Sequence, residues 1–140
     1  MAKNKTIRII IDTNLWISFI ISRKYNLLDN LLFSEKVRLL FSNELIGEIQ
    51  QTILKPKLKR YFADKALDKM LLAFEPFIDL IEVESQILIC RDSNDDFLLS
   101  LCKDGNADYL ITGDKDLLDL KKFGKTKIIT IKDFFVIVKK

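Results

Sequence analysis

Histidine is absent from this 140-residue chain. That excludes a Ser-His-Asp or Cys-His catalytic group and any His-ligated zinc. Only two cysteines are present, Cys90 and Cys102, too few for a four-cysteine metal site. Such sparse use fits a reduced, cytoplasmic protein. Four glycines and two prolines are all that punctuate the chain. There is no repeat, no low-complexity stretch and no Gly/Ser/Pro-rich linker. No apolar run approaches the roughly 20 residues of a membrane span, so no membrane partner is expected. The lysines ahead of Ile7 and the Ile9-Ile10-Ile11 run superficially resemble a leader peptide. Asp12 ends that run and no small-residue cleavage site follows, so the reading is against export.

What is present is a globular composition, 49% hydrophobic and 31% charged. That argues against disorder. The length suits one domain, residues 1–140, with its own core. Net charge is +3, from 23 basic and 20 acidic residues. If several acids are committed to one site, the remaining surface is more basic than the total suggests, which suits a polyanionic substrate.

Residues 7–11, nearly all β-branched and apolar, read as a central strand. Residues 14–22 and 26–35 read as helices. Val37–Phe41 reads as a second strand, and Ser42 is a good cap for a helix carrying Leu45, Ile49 and Ile53 in one stripe. Residues 56–78 read as two further helices, with Pro56 opening the first. A short strand follows at 79–83, then a helix at 95–104, strands at 108–112 and 127–131, and a last helix from about 132. Strands alternating with helices predict a parallel sheet with helices on both faces.

Five acids stand out: Asp12, Glu48, Asp95, Asp114 and Asp116. Asp12 and Asp114 each follow an apolar strand, and ligands of open α/β sheets bind outside the carboxyl ends of the strands. The bland alternative for Asp12 is a turn or a helix cap. Asp95 heads a stripe of Leu98, Leu99 and Cys102 at i+3, i+4 and i+7, the core-facing side of a helix. A carboxylate there is costly to bury unless it is paired or binds a metal. Asp92 and Asp96 better fit acids favoured by the helix dipole. In Thr112-Gly113-Asp114-Lys115-Asp116, Asp114 reads as a ligand or water-holder. Asp116 reads equally as a ligand or as the cap of a helix starting near Leu117. Glu44 and Glu48 share a helix face at i, i+4, and position alone does not choose between them. Converging carboxylates need cations between them, and hard oxygen donors select Mg²⁺ or Mn²⁺.

Ile11-Asp12-Thr13-Asn14, Ser42 through Glu48, Asp92-Ser93-Asn94-Asp95-Asp96 and Thr112-Gly113-Asp114-Lys115-Asp116-Leu117-Leu118 together resemble a PIN domain. They are most similar to ribonuclease toxins of toxin–antitoxin pairs, and the resemblance covers essentially the whole chain. It implies a Rossmann-like three-layer α/β/α sandwich with a central parallel sheet, and Mg²⁺- or Mn²⁺-dependent cleavage of single-stranded RNA. It places the catalytic acids on Asp12, Glu48, Asp95 and Asp114, with Asp116 as an auxiliary metal ligand. Asn14, Ser42 and Thr112 become supporting polar residues. Phe97 stands where the family often has a polar residue, and Ser93 where it often has proline. The resemblance also implies a cognate antitoxin protein. With the apolar helices of residues 56–78, it implies a homodimer.

Divalent ions held by these acids would neutralise phosphate charge, lower the pKa of a bound water and stabilise the leaving oxygen. The expected products are a 5′-phosphate and a 3′-hydroxyl. A haloacid-dehalogenase-type phosphatase would need an Asp where Asn14 stands. A response-regulator receiver would need an acidic pair near the first strand. Two alternatives remain: a PIN-like module that binds RNA or protein without cleaving it, and a housekeeping RNA-processing nuclease.

Overall fold

Four isoleucines and one arginine make the first strand, β1 (Ile7–Ile11), and Ile9, Ile10 and Ile11 are fully buried. β-branched residues stiff at χ1 suit a strand covered on both faces. The structure is a computed structural model that describes residues 6–22, 26–34, 36–60, 65–88 and 93–138. Cys90 and Asp92 lie outside the described residues.

Helices α1 (Thr13–Ser22) and α2 (Asn26–Phe33) follow β1 and lead to β2 (Val37–Phe41). Ser42 caps α3 (Asn43–Ile53), its hydroxyl accepting the Leu45 N–H at 3.1 Å. Pro56 opens a single turn, α4 (Pro56–Lys59), and α5 (Ala66–Phe74) runs through a 3₁₀ turn into β3 (Ile78–Leu80). The remainder is α6 (Ser93–Asp104), β4 (Tyr109–Ile111), α7 (Lys115–Leu120), β5 (Lys122–Phe123), β6 (Thr126–Ile129) and α8 (Ile131–Val138).

The strands form one six-stranded sheet in the order β3-β2-β1-β4-β6-β5, flanked by helices. Ile11 pairs with Ile111 and Leu39 with Ile78, all in parallel. The sheet is not wholly parallel as predicted. The short hairpin β5–β6 adds an antiparallel edge, with Phe123 opposite Thr126 and Gly124 at φ +59° in the turn. Two polar-flanked residues carry no strand periodicity, so β5 escapes a reading by pattern. Trp16 packs at ring-centroid distances of 5.2 Å from Phe41 and 6.4 Å from Phe74, joining α1 to β2 and α5.

The amino edge of the sheet is held by charge. Arg8 and Arg38 are register partners on β1 and β2. Asp79 on β3 takes both, Arg8 at 2.9 Å and Arg38 at 2.5 Å, and these guanidinium bonds hold its carboxyl below the usual carboxylate range. Arg8 also donates to the Gly105 carbonyl at 2.8 Å. A Cβ at Gly105 would sit 3.0 Å from the Leu40 side chain and 3.0 Å from the Leu101 carbonyl, so a larger residue there would require its neighbours to give by a few tenths of an ångström.

Candidate active site

The carboxyl edge carries the chemistry. β1 and β4 are neighbours, so Asp12 and Thr112, 100 residues apart in sequence, emerge side by side. The Thr112 hydroxyl donates to one Asp12 carboxylate oxygen. The Leu15 N–H donates to the other at 2.9 Å. Asp12 is therefore the cap of α1, and it is only 5% exposed. The bland reading and the site reading hold together: a cap can also be a buried acid at a strand end. Burial raises the Asp12 pKa, and the Asp114 charge adds to that, against the opposing Thr112 and backbone hydrogen bonds.

Thr112 also accepts the Asp114 N–H at 3.0 Å. Asp114 in turn caps α7 by accepting the Asp116 N–H at 2.8 Å. This corrects the expected cap: α7 begins at Lys115, Asp114 holds its first turn, and Asp116 is an exposed residue inside it.

A hollow of about 240 Å³ opens here, lined by Asp12, Glu48, Asp95 and Asp114 from four separate stretches of the chain. Asn14, exposed, lies on the same wall. Asp116 does not line it, and Ser42 is fully buried beneath as the α3 cap. Thr13, Thr52 and Lys55 also line the hollow and were not singled out from the sequence. The signal for two of them was present, since Glu48, Thr52 and Lys55 recur at i, i+4 and i+7 on the face of α3 and its extension. The Thr52 hydroxyl is anchored to the Glu48 carbonyl at 2.7 Å.

The structure separates two acid pairs that the sequence left adjacent. Glu48 and Asp95 face the strand-end hollow, whereas Glu44 and Asp96 line a larger one of about 410 Å³ formed with residues 83–88 and Ser100. Phe97 lines both and forms the wall between them. Size does not choose between the hollows; the smaller is the one lined by Asp12 and Asp114, the acids that follow the neighbouring central strands β1 and β4. Asp96 stands in the first turn of α6, as expected, yet at 7% exposed it is more buried than the half-buried Asp95. The inward stripe is otherwise as expected, with Leu98, Leu99 and Cys102 buried. Burial pushes the Cys102 thiol up to about 12, which leaves it inert.

The donors fit a hard divalent cation in kind, since the hollow is lined by four carboxylates with no imidazole or thiol among its residues. A cation beside Asp12 and Asp114 would offset both the burial and the mutual repulsion that raise the Asp12 pKa. Among the described residues, no three acidic side chains are gathered closely enough in this arrangement to hold one ion.

The family model described as PIN domain matches residues 8–116. The chain is 33% identical over 123 residues to the uncharacterized protein MJ1680 of Methanocaldococcus jannaschii, covering 85% of this chain and 78% of that one. Among solved structures, PAE2754 from Pyrobaculum aerophilum superposes with a TM-score of 0.62 at 17% identity, over 95% of this chain and 90% of that one. VapBC2 from Rickettsia felis, solved bound to a fragment of promoter DNA, gives 0.57 at 17% identity, over 87% and 97% of the two chains. VapC20 of Mycobacterium tuberculosis, a toxin that cleaves the sarcin–ricin loop, gives 0.55 at 12% identity, over 85% and 98%. At such identities these structures share the fold. The sequence matches go further, since the model runs from Arg8 on the central strand to Asp116 beyond the strand-end acids, and on that span this chain belongs to the PIN domain family.

Proposed function

We propose that the strand-end hollow is the active site of a Mg²⁺- or Mn²⁺-dependent endoribonuclease that cleaves single-stranded RNA. We further propose that the protein, a single domain over residues 1–140, is the toxin of a toxin–antitoxin pair. One observation carries this reading: Asp12, Glu48, Asp95 and Asp114 come from four parts of the chain to one hollow at the carboxyl edge of the sheet. Capping of α1 by Asp12 and of α7 by Asp114 does not by itself require four acids to share one hollow, where their charges repel one another. The fold shared with a chain of the VapBC2 structure and with VapC20, a toxin that cleaves the sarcin–ricin loop, supports the same reading.

Asp12, Glu48, Asp95 and Asp114 would hold the metal. When bound, it supplies charge neutralisation at the phosphate and an acidified water. The chain's own residues set the geometry. Thr112 and the Leu15 N–H fix both oxygens of Asp12, and the Asp116 N–H fixes one oxygen of Asp114. Acids held by caps and strand ends lose little entropy when a ligand arrives. Asn14 stands at the rim as a polar contact for substrate. The partners that follow from this reading are a cognate antitoxin protein and a second copy of the chain.

The test is an unstructured RNA incubated with purified protein and Mg²⁺ or Mn²⁺, with and without chelator. Cleavage to products bearing a 5′-phosphate is expected with metal and none with excess chelator. Activity that survives the chelator sinks the metal mechanism. RNA binding without cleavage at any metal concentration supports a binding module instead.

A further inference from the structure

An acidic hollow repels the polyanion it is proposed to cut, so the strand must be held by cations beside it. The run Lys55-Pro56-Lys57-Leu58-Lys59-Arg60 begins on the wall of that hollow, where Lys55 is a lining residue. Lys55, Lys57 and Lys59 are exposed. None of the three makes an ion pair among the described residues, unlike Arg8, Arg38 and Lys125. Lys55 lies beside four carboxylates and bridges to none of them. The backbone of α4 then orders the row: Pro56 starts the turn and the Lys59 N–H bonds the Lys55 carbonyl at 2.9 Å. That bond closes one turn, so the chain carries Lys59 one turn beyond Lys55, the extended residue that caps α4.

We propose that Lys55 and Lys59, with Lys57 beside them, form a track for the phosphodiester backbone of single-stranded RNA that leads into the acidic hollow. Lys55 is the contact nearest the scissile position and acts as a positioning residue. This rests on the nuclease reading above and adds to it which surface grips the substrate. A row of flexible ammonium groups without base-reading partners grips the backbone, so the track contributes affinity and orientation rather than sequence choice.

The test measures anisotropy of a labelled unstructured RNA with the full chain in chelator, across a salt series, so that binding is read without cleavage. Lys55→Met/Lys59→Met is compared with Lys122→Met/Lys127→Met, a cross-strand lysine pair on the β5–β6 edge that removes the same charge elsewhere. The track pair is expected to weaken binding about tenfold or more at moderate salt. It should also lower the slope of log affinity against log salt by about 1.4, at roughly 0.7 per phosphate contact on a single strand. The control pair should change both far less, and Lys55→Arg/Lys59→Arg should keep most of the binding. With metal present, the track variant should raise KM more than it lowers kcat. Equal losses in the two pairs would overturn the track in favour of diffuse charge. So would no loss in the track pair, or tighter binding of poly-glutamate than of RNA by the wild type. Wild-type protein that binds RNA through the track but never cleaves it would instead refute the nuclease reading and leave the track standing.

Discussion

Asp95 and Asp96 are neighbours of equal charge, and about 100° of helical rotation sends them to different hollows. Asp95→Asn is expected to remove most metal-dependent cleavage, and Asp96→Asn to leave most of it, with both measured on one RNA at saturating Mn²⁺. Equal loss in both, or a larger loss at Asp96, would move the site across the Phe97 wall. Asp12 makes a second test at this scale. Asn in its place keeps an acceptor for the Leu15 N–H and a partner for Thr112. Asp12→Asn should therefore leave the metal-free protein as stable as the wild type or more so, because it removes a charge that burial disfavours. Cleavage should fall by more than about 100-fold, a loss beyond that of a mere outer partner of a metal site. A large drop in metal-free stability would show that Asp12 is structural first.

At the scale of elements, the two edges of the sheet divide the work. The carboxyl edge collects Asp12, Glu48, Asp95 and Asp114 around one hollow, while the amino edge is tied by Asp79 between Arg8 and Arg38. The folded pKa of Asp79 lies below its ordinary value, so the stability it contributes is present above about pH 3.9, the unfolded value, and is lost as pH falls through the folded one. Asp79→Asn should cost about 1–2 kcal/mol at pH 7, discounted for its partial exposure. Urea titrations from pH 8 to pH 3 should show that difference constant down to about pH 5 and shrinking below 4. A difference that grows on acidification would contradict the clasp. Ser42 and Asp114 show how much of an element is legible locally. Ser42 before an amphipathic stripe announces α3, and the structure bears that out. Asp114 and Asp116 suit the cap of α7 equally by residue type. The extended backbone of Asp114, φ −74° and ψ 120°, decides it, and that conformation follows from the strand behind it rather than from the pair of acids.

For the whole molecule, binding to the native state is what metal and partners share. Under the proposed function, Mn²⁺ at 100 times its Kd should stabilise the wild type by about 2.7 kcal/mol, read as a rise in Tm, and Asp12→Asn should show little of it. The exposed apolar side chains argue for association. Leu54 is 60% and Leu72 74% exposed, and both lie on or beside the helices of residues 56–78 or their approach. Light scattering from micromolar upward is expected to give a mass above one chain of 16.3 kDa. A monomer mass at every concentration would count against the dimer.

Local patterns carried β1 and β2, the Ser42 cap, the apolar stripe of α6 and an oxygen-only donor set in a chain without histidine. Strand and cap chemistry is short-ranged, and a few consecutive residues state it completely. The tertiary structure alone put β1 between β2 and β4, and so set Thr112 against Asp12 across 100 residues. It alone turned Glu48 rather than Glu44 to the strand-end hollow, beside the Asp95 that its helical stripe already marked, and brought Lys55 to its wall. Those choices depend on which strands pair and how α3 and α6 lie across their ends. That is a long-range packing outcome, and no window of neighbouring residues contains it.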